Sequence, residues 1–444
     1  MSAGITVLLG SFAGLLAALV AALLPGVHIF NIMGLAAWLL WSFGTTGGNW
    51  PLALICSMVA GFSVTSIVPV VYAAVSDEGL YFSVSPANEY VLEGREKHAV
   101  ALLAFGAVPA LLSLVLAAPL LPRLLCRIIA VIRPHQQWIV WSIIVYLLLS
   151  EWPREQLGPD PLRRFMRAMT APAVGLLVFL LSGILGILVM HTPLLSGARV
   201  PSQALMPACI GLFTVPWLLM NILGVSDSVS LEKRAGTSPP APVEKIRRLP
   251  FSGMLSGLGG GLFAAILPGV TAGVGGYLSG QAASNSHRDD FLVSQGASRA
   301  AYFGGCLLLT ILPGGIPRGG AGWLIQSWVP SLTPADYYRG VAAIALGAGG
   351  AVLLLSPLCR WYEFVRRNNF NKLAAAVAFI LLTGNVIWFT GLYGLLVMLA
   401  GGAIGALPPL FGARRMNTLG VILLPVALAL SGQGGLAGRL LRLY

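Results

Sequence analysis

Charge is what this sequence has least of. Only 9% of its 444 residues are Asp, Glu, Lys or Arg, and none of these falls between Met1 and Ser76. With 57% hydrophobic residues and a mean hydropathy of +0.84, the composition excludes a soluble globular fold and predicts a polytopic membrane protein. At about 20 residues per crossing, the uncharged stretch has room for three spans, or for two and a re-entrant piece. No basic stretch precedes the first apolar run, so that run is expected to stay as a membrane helix rather than to be cleaved as a signal peptide. The five cysteines, Cys56, Cys126, Cys209, Cys306 and Cys359, form no C-x-x-C pair and sit mostly in or beside apolar runs, which favours helix packing over a disulfide or metal role. The five histidines lack H-E-x-x-H or similar spacing, so no metal site and no metalloenzyme is expected. The net charge of +12 comes mostly from arginines in short loops, where the positive-inside rule and anionic headgroups account for it and leave a nucleic-acid partner without support.

What is present is a repeat. Gly10 to Val27 and Gly253 to Val270, aligned without a gap, agree at about ten of eighteen positions, and both end in Leu-Pro-Gly-Val. Gly14 and Gly257 stand equally far ahead of the two Pro-Gly pairs. Interrupted hydrophobic segments at matching places in two halves point to a transporter's binding site.

The expected fold is an all-α polytopic membrane protein with two structural repeats, broken or re-entrant helices and about ten to twelve membrane segments. The longest polar stretch contains Thr237-Ser238-Pro239-Pro240-Ala241-Pro242 between charged clusters. It predicts a cytoplasmic linker over 226–250 between an N-terminal repeat, 1–225, and a C-terminal repeat, 251–444. Residues 51–75 read as a span holding Ser57, Ser63, Thr65 and Ser66, hydroxyls expected mainly to bond helix carbonyls. Arg123, Arg127 and Arg133 are assigned to a turn between apolar segments 99–122 and 135–150, and Arg154, Arg163, Arg164 and Arg167 form a second basic cluster. Spans are expected near 373–391 and 393–411.

At each Pro-Gly pair one half-helix is expected to end and another to begin, leaving N–H groups and a positive dipole end to face an anion. The candidate substrate-binding residues are therefore Pro25, Gly26, Val27, His28 and Asn31 from the first copy, and Pro268, Gly269, Val270 and Thr271 from the second. His28 and Thr271, at equivalent positions, would each add a donor. Arg318, in a third Pro-Gly break between apolar runs, is the leading charged partner, because an arginine in hydrocarbon needs water, a ligand or an acid. Ser66, Asp77 and Glu78 are the weaker candidates for ion coupling, with Asp289 and Asp290 as the other acids near the repeats. No residue set predicts catalysis or metal ligation.

Four segments together resemble the large permease subunit family of tripartite tricarboxylate transporters, most closely its shorter archaeal branch. They are Leu23-Leu24-Pro25-Gly26-Val27-His28; Ala74-Val75-Ser76-Asp77-Glu78 with Ser83-Val84-Ser85-Pro86 and Leu92-Glu93-Gly94; Pro317-Arg318-Gly319-Gly320-Ala321; and Thr383-Gly384 with Ile404-Gly405-Ala406-Leu407-Pro408-Pro409-Leu410-Phe411-Gly412, Arg414-Arg415 and Gly420 to Pro425. The resemblance implies a secondary transporter in the inner membrane, driven by a sodium or proton gradient and needing no cofactor. It also implies a citrate-like anion delivered by a periplasmic binding protein beside a small membrane subunit. Two departures stand out: the asparagine usually found soon after Pro-Gly-x-His is displaced to Asn31, and Thr271 replaces the histidine in the second copy. Pro268-Gly269-Val270-Thr271-Ala272-Gly273 also resembles a segment of bacterial polyprenyl-phosphate translocases, which makes a lipid phosphate the alternative substrate. A membrane enzyme acting on lipid phosphates ranks third, since no paired carboxylates or histidine make a recognisable catalytic motif.

Overall fold

A computed structural model of the chain describes residues 3–44, 50–75, 77–152, 161–191, 203–223, 250–283 and 287–435. The linker expected over 226–250 lies, except for Pro250, outside the described residues, as do Arg154 and the turn from Thr45 to Asn49. Among the described residues the structure is helical throughout, without a strand. The first helices are α1 (Ala3–Leu23), α2 (Ile29–Ser42), α3 (Trp50–Thr65), α4 (Ile67–Ala73), α5 (Val84–Leu92) and α6 (Glu96–Ala117). There follow α7 (Leu121–Ile132), α8 (Gln136–Leu149), α9 (Pro161–His191), α10 (Met206–Cys209) and α11 (Val215–Leu223). The rest are α12 (Phe251–Ile266), α13 (Ala272–Ala282), α14 (Arg288–Ile311), α15 (Gly319–Trp328), α16 (Pro334–Arg367), α17 (Asn371–Phe411) and α18 (Gly420–Leu430).

Eight stretches among the described residues are long and apolar enough to cross a membrane, and three shorter apolar helices of 10–17 residues accompany them. The protein is an integral membrane protein. One local reading changes. The arginine-bearing turn at 123–133 is mostly the helix α7, whose Arg123 and Arg127 are exposed while Leu121 and Leu125 are buried, because the i, i+4 spacing of charge and of leucine segregates them onto two faces. The spans expected near 373–391 and 393–411 part where expected: within α17, Gly391 takes φ 68°, ψ −162°, a non-helical backbone at which one helix stops and the next begins.

Contacts divide the chain into two units. The first comprises Met1–Ile129, Leu218–Ile266 and Thr271–Ile380. Inside it the repeat becomes structural, since α1 packs on α3 just as α12 packs on α14. A Cβ at Gly14 would overlap the carbonyl oxygen of Leu54, and one at Gly257 that of Ser294. The two conserved spacings thus mark the same close backbone approach, which only a residue without a side chain permits. α6 completes the surroundings of α14, and α16 those of α3. Every residue of α3 after Trp50 is buried. Its hydroxyls satisfy carbonyls: Ser57 donates to Ser11 (2.6 Å), Ser63 to Ala60 (2.7 Å) and Thr65 to Ala18 (3.5 Å).

The second unit comprises Ala130–Trp217, Leu267–Val270 and Leu381–Tyr444. There α9 packs along α18. The buried Glu151 accepts hydrogen bonds from the Arg414 backbone N–H (2.8 Å) and from Asn417 Nδ2 (2.8 Å), fixing the 3-10 turn Arg415–Leu419. Burial raises the Glu151 pKa above the usual carboxylate value, against the lowering effect of these two donors and the Arg414 charge.

Candidate functional site

Three helix breaks share one construction. α1 ends at Leu23, Gly26 takes φ 81°, and His28 is extended at φ −85°, ψ 149° before α2 begins. α12 ends at Ile266, Gly269 takes φ 78°, and Thr271 is extended at φ −94°, ψ 163° before α13 begins. α14 ends at Ile311, Gly314 takes φ 71°, and Arg318 is extended at φ −123°, ψ 125° before α15 begins. The physical cause is common to all three: proline cannot continue the helix it follows, and the glycine after it adopts the left-handed backbone that turns the chain. His28, Thr271 and Arg318 are consequently N-cap residues, each beside the N–H groups that a helix start leaves unpaired.

The opposite helix ends are closed by side chains. Leu23 O accepts from Trp361 Nε1 (3.1 Å) and Ala22 O from the Tyr362 hydroxyl (3.1 Å). At the position equivalent to Leu23, Ile266 O accepts from Arg318 Nη2 at 2.7 Å. The guanidinium therefore stabilises the negative end of the second repeat's broken helix. The Arg318 backbone N–H also bonds Thr310 Oγ1 (3.1 Å), while its buried Nε has no partner.

The densest charge lies at a fourth break. Ala74 ends α4 with φ 53°, and Asp77 Oδ1 then accepts from the N–H groups of Gly79 (2.9 Å) and Leu80 (3.2 Å), an Asx turn. Both carboxylate oxygens of Asp77 also accept from Arg299, Nη1 to Oδ1 and Nη2 to Oδ2, each at 2.6 Å. Arg299 sits midway along α14 and is 0% exposed. Its guanidinium carbon lies 5.3 Å from the Phe62 ring centroid and 5.1 Å from that of Phe303. His28 joins the same cluster, with Nε2 3.4 Å from Asp77 Oδ2 and 3.7 Å from Glu78 Oε1. Its ring is enclosed by Phe30, Phe62 and Phe303. The start of α13 lies against this turn as well, since a Cβ at Gly273 would stand 2.9 Å from Glu78 O.

Of the candidate residues, His28, Asp77 and Glu78 thus come together. Asn31 is one turn along α2, 2% exposed, and its Nδ2 has no partner. Thr271 is 4% exposed and its hydroxyl is likewise unpartnered. Ser66 Oγ bonds Phe62 O at 2.6 Å. Pro25, Gly26 and Val27 form the first turn; Pro268, Gly269 and Val270 group with the second unit, where Gly269 abuts Val426. Asp289 and Asp290 occupy the first turn of α14, away from the cluster, where a carboxylate complements the helix dipole. The residue that sequence reasoning missed is Arg299. The signal was there: a lone arginine within the run from Leu292 to Ile311, the pattern that marks a functional or paired charge inside a membrane. An arrangement of helix N-termini, a buried cation and unpartnered donors suits a small anion, and it presents no activated nucleophile.

The model of the tripartite tricarboxylate transporter TctA family matches residues 8–420. An uncharacterized protein of Methanocaldococcus jannaschii is 22% identical over 426 residues, covering 94% of this chain and 96% of that one. No solved structure matches.

Proposed function

Because the chain belongs to the tripartite tricarboxylate transporter TctA family, it is a transporter permease rather than an enzyme, and we propose that it moves a small organic anion of the di- or tricarboxylate kind across the cytoplasmic membrane by ion-gradient coupling. The observation that carries this reading is the set of partnerless donors at helix starts in the first unit. Asn31 Nδ2, Thr271 Oγ1 and Arg318 Nε are all buried without an acceptor, and a buried donor left unsatisfied costs about 1–3 kcal/mol. Carboxylate oxygens are the acceptors that such a set lacks. Citrate-like anions also fit a system in which a binding protein and a small membrane subunit deliver substrate to the permease.

The test is uptake of labelled citrate into proteoliposomes under a sodium or proton gradient. Accumulation above equilibrium is expected, and Arg318→Ala is expected to abolish it. That substitution also removes the charged hydrogen bond to Ile266 O, worth about 1.5–3 kcal/mol, so the variant should remain folded with a lowered unfolding midpoint. Unchanged transport by Arg318→Ala would leave Arg318 as a helix cap alone. Binding of lipid phosphates without carboxylate transport would replace this reading with the lipid-phosphate one.

A further inference from the structure

Gln295 stands on α14 one helical turn ahead of Arg299, which puts the two residues on one face of the helix. It is 0% exposed, and neither its Oε1 nor its Nε2 has a partner. The polar residues beside it are satisfied: Ser294 Oγ donates to Phe291 O (3.1 Å) and Ser298 Oγ to Ala272 O (2.7 Å). An amide idle at both ends inside a packed helix is unfavourable, and it calls for an occupant that supplies both an acceptor and a donor. The first copy has no such group. Leu54 and Ser294 are matched by their contacts with Gly14 and Gly257, so the counterpart of Gln295 is Ile55, which is apolar and equally buried.

The position of this amide ties it to the transport site. A Cβ on Gly276 would stand 3.0 Å from Gln295 Nε2, so the missing side chain lets the amide lie against α13. Ser298, one turn along α14, bonds the carbonyl of Ala272, the first residue of α13. Thr271, the N-cap of α13, has an unpartnered hydroxyl. From Thr271 to Gly276 is about 7.5 Å along the helix axis at 1.5 Å per residue. A citrate-sized anion spans that distance.

Resting on the transport reading above, we propose that Gln295 reads a hydroxyl group on the transported anion, which makes the substrate a hydroxycarboxylate. Oε1 is the deciding atom. An ionised carboxylate only accepts hydrogen bonds, so it suits Thr271 Oγ1 and Gln295 Nε2, which are donors without an acceptor. It has no hydrogen to give Gln295 Oε1. An alcohol hydroxyl has one, and its lone pairs also accept from Nε2. A buried site made for a hydroxyl discriminates strongly against an analogue that lacks it, because the polar group of the site is then left unpaired. The hydroxyl reader belongs to the second repeat alone.

Citrate and tricarballylate, which is citrate with hydrogen in place of the hydroxyl, differ only at the group in question. By titration calorimetry, the purified wild-type protein should bind citrate about 10–100-fold more tightly than tricarballylate. Gln295→Met keeps the length of the side chain and removes both polar ends. Both anions should bind the variant more weakly, citrate by the larger factor, so that the preference collapses towards parity. The replaced groups are idle in the free protein, so the ligand-free variant should unfold at a midpoint no lower than that of wild type. Equal binding of the two anions by wild type, or a wild-type preference kept by Gln295→Met, would overturn the proposal and leave Gln295 to a buried water. The wild-type comparison needs no substitution and decides on its own. A wild-type protein that binds and exchanges neither anion would instead overturn the transport reading on which the proposal rests.

Discussion

Removing the Asp77 carboxylate should be among the most destabilising single changes in the first unit. Arg299 is 0% exposed and directs both terminal nitrogens to Asp77, with Nε unpartnered. Taking one partner from a buried ion pair strands the other and costs about 3–5 kcal/mol. Asp77→Asn is the cleanest form of the experiment, because its remaining oxygen still accepts from Gly79 and Leu80 while its amide presents hydrogens to a guanidinium that needs an acceptor. The Phe62 and Phe303 rings recover part of the loss, at about 0.5–2 kcal/mol for a cation over an aromatic face. Arg299→Gln should cost less, since Asp77 keeps two backbone donors and a side chain that is 13% exposed. The double variant Asp77→Asn with Arg299→Gln should cost less than Asp77→Asn alone, because the two amides can pair and no charge is left buried. The assay is the unfolding midpoint in detergent micelles, followed for all four proteins of the cycle. Wild-type midpoints for both single variants, or effects that simply add in the double variant, would refute the claim that this pair ties α14 to the 77–80 turn.

Two further changes test the packing and the second unit. Gly257→Ala places a methyl group against Ser294 O and 2.8 Å from Ala297 Cβ; such overpacking should cost about 1–3 kcal/mol, visible as a lowered midpoint, whereas Gly259→Ala, with open space around it, should leave the midpoint unchanged. Burial raises the Glu151 pKa in the folded protein, so its protonated form is favoured by folding. Its contribution to stability is then full below the ordinary carboxylate pKa of about 4.3 and is lost as pH rises through the raised folded value. The midpoint of wild type relative to Glu151→Gln, measured across that range, should fall as pH rises; a constant difference would contradict the assignment.

Much of the architecture was legible because its causes are local. A run without charge, a proline that ends a helix and a glycine that turns the chain each act within a few residues, so the breaks at Pro25 and Pro268 could be placed from the residues alone, whereas the N-cap positions of His28 and Thr271 came from the structure. The pairing of α1 with α3 and of α12 with α14 was implicit in the matched Gly14 and Gly257. Arg299 was harder to see, because its meaning depends on a partner 222 positions away in the chain, and no short-range pattern links it to Asp77. Arg318 was visible as an arginine between apolar runs. Its bond to Ile266 O depends on where two breaks meet in space, which spacing does not encode. The arginines at 123 and 127 were misplaced into a turn because an amphipathic helix beside apolar spans interrupts hydropathy much as a loop does.

The most direct test is citrate counterflow and accumulation by purified protein in proteoliposomes under imposed ion gradients. The account predicts that labelled citrate or a related carboxylate exchanges and is concentrated inside, and that Arg318→Ala concentrates none. Failure of the wild-type protein to exchange any carboxylate, with lipid phosphates bound in its place, would contradict it.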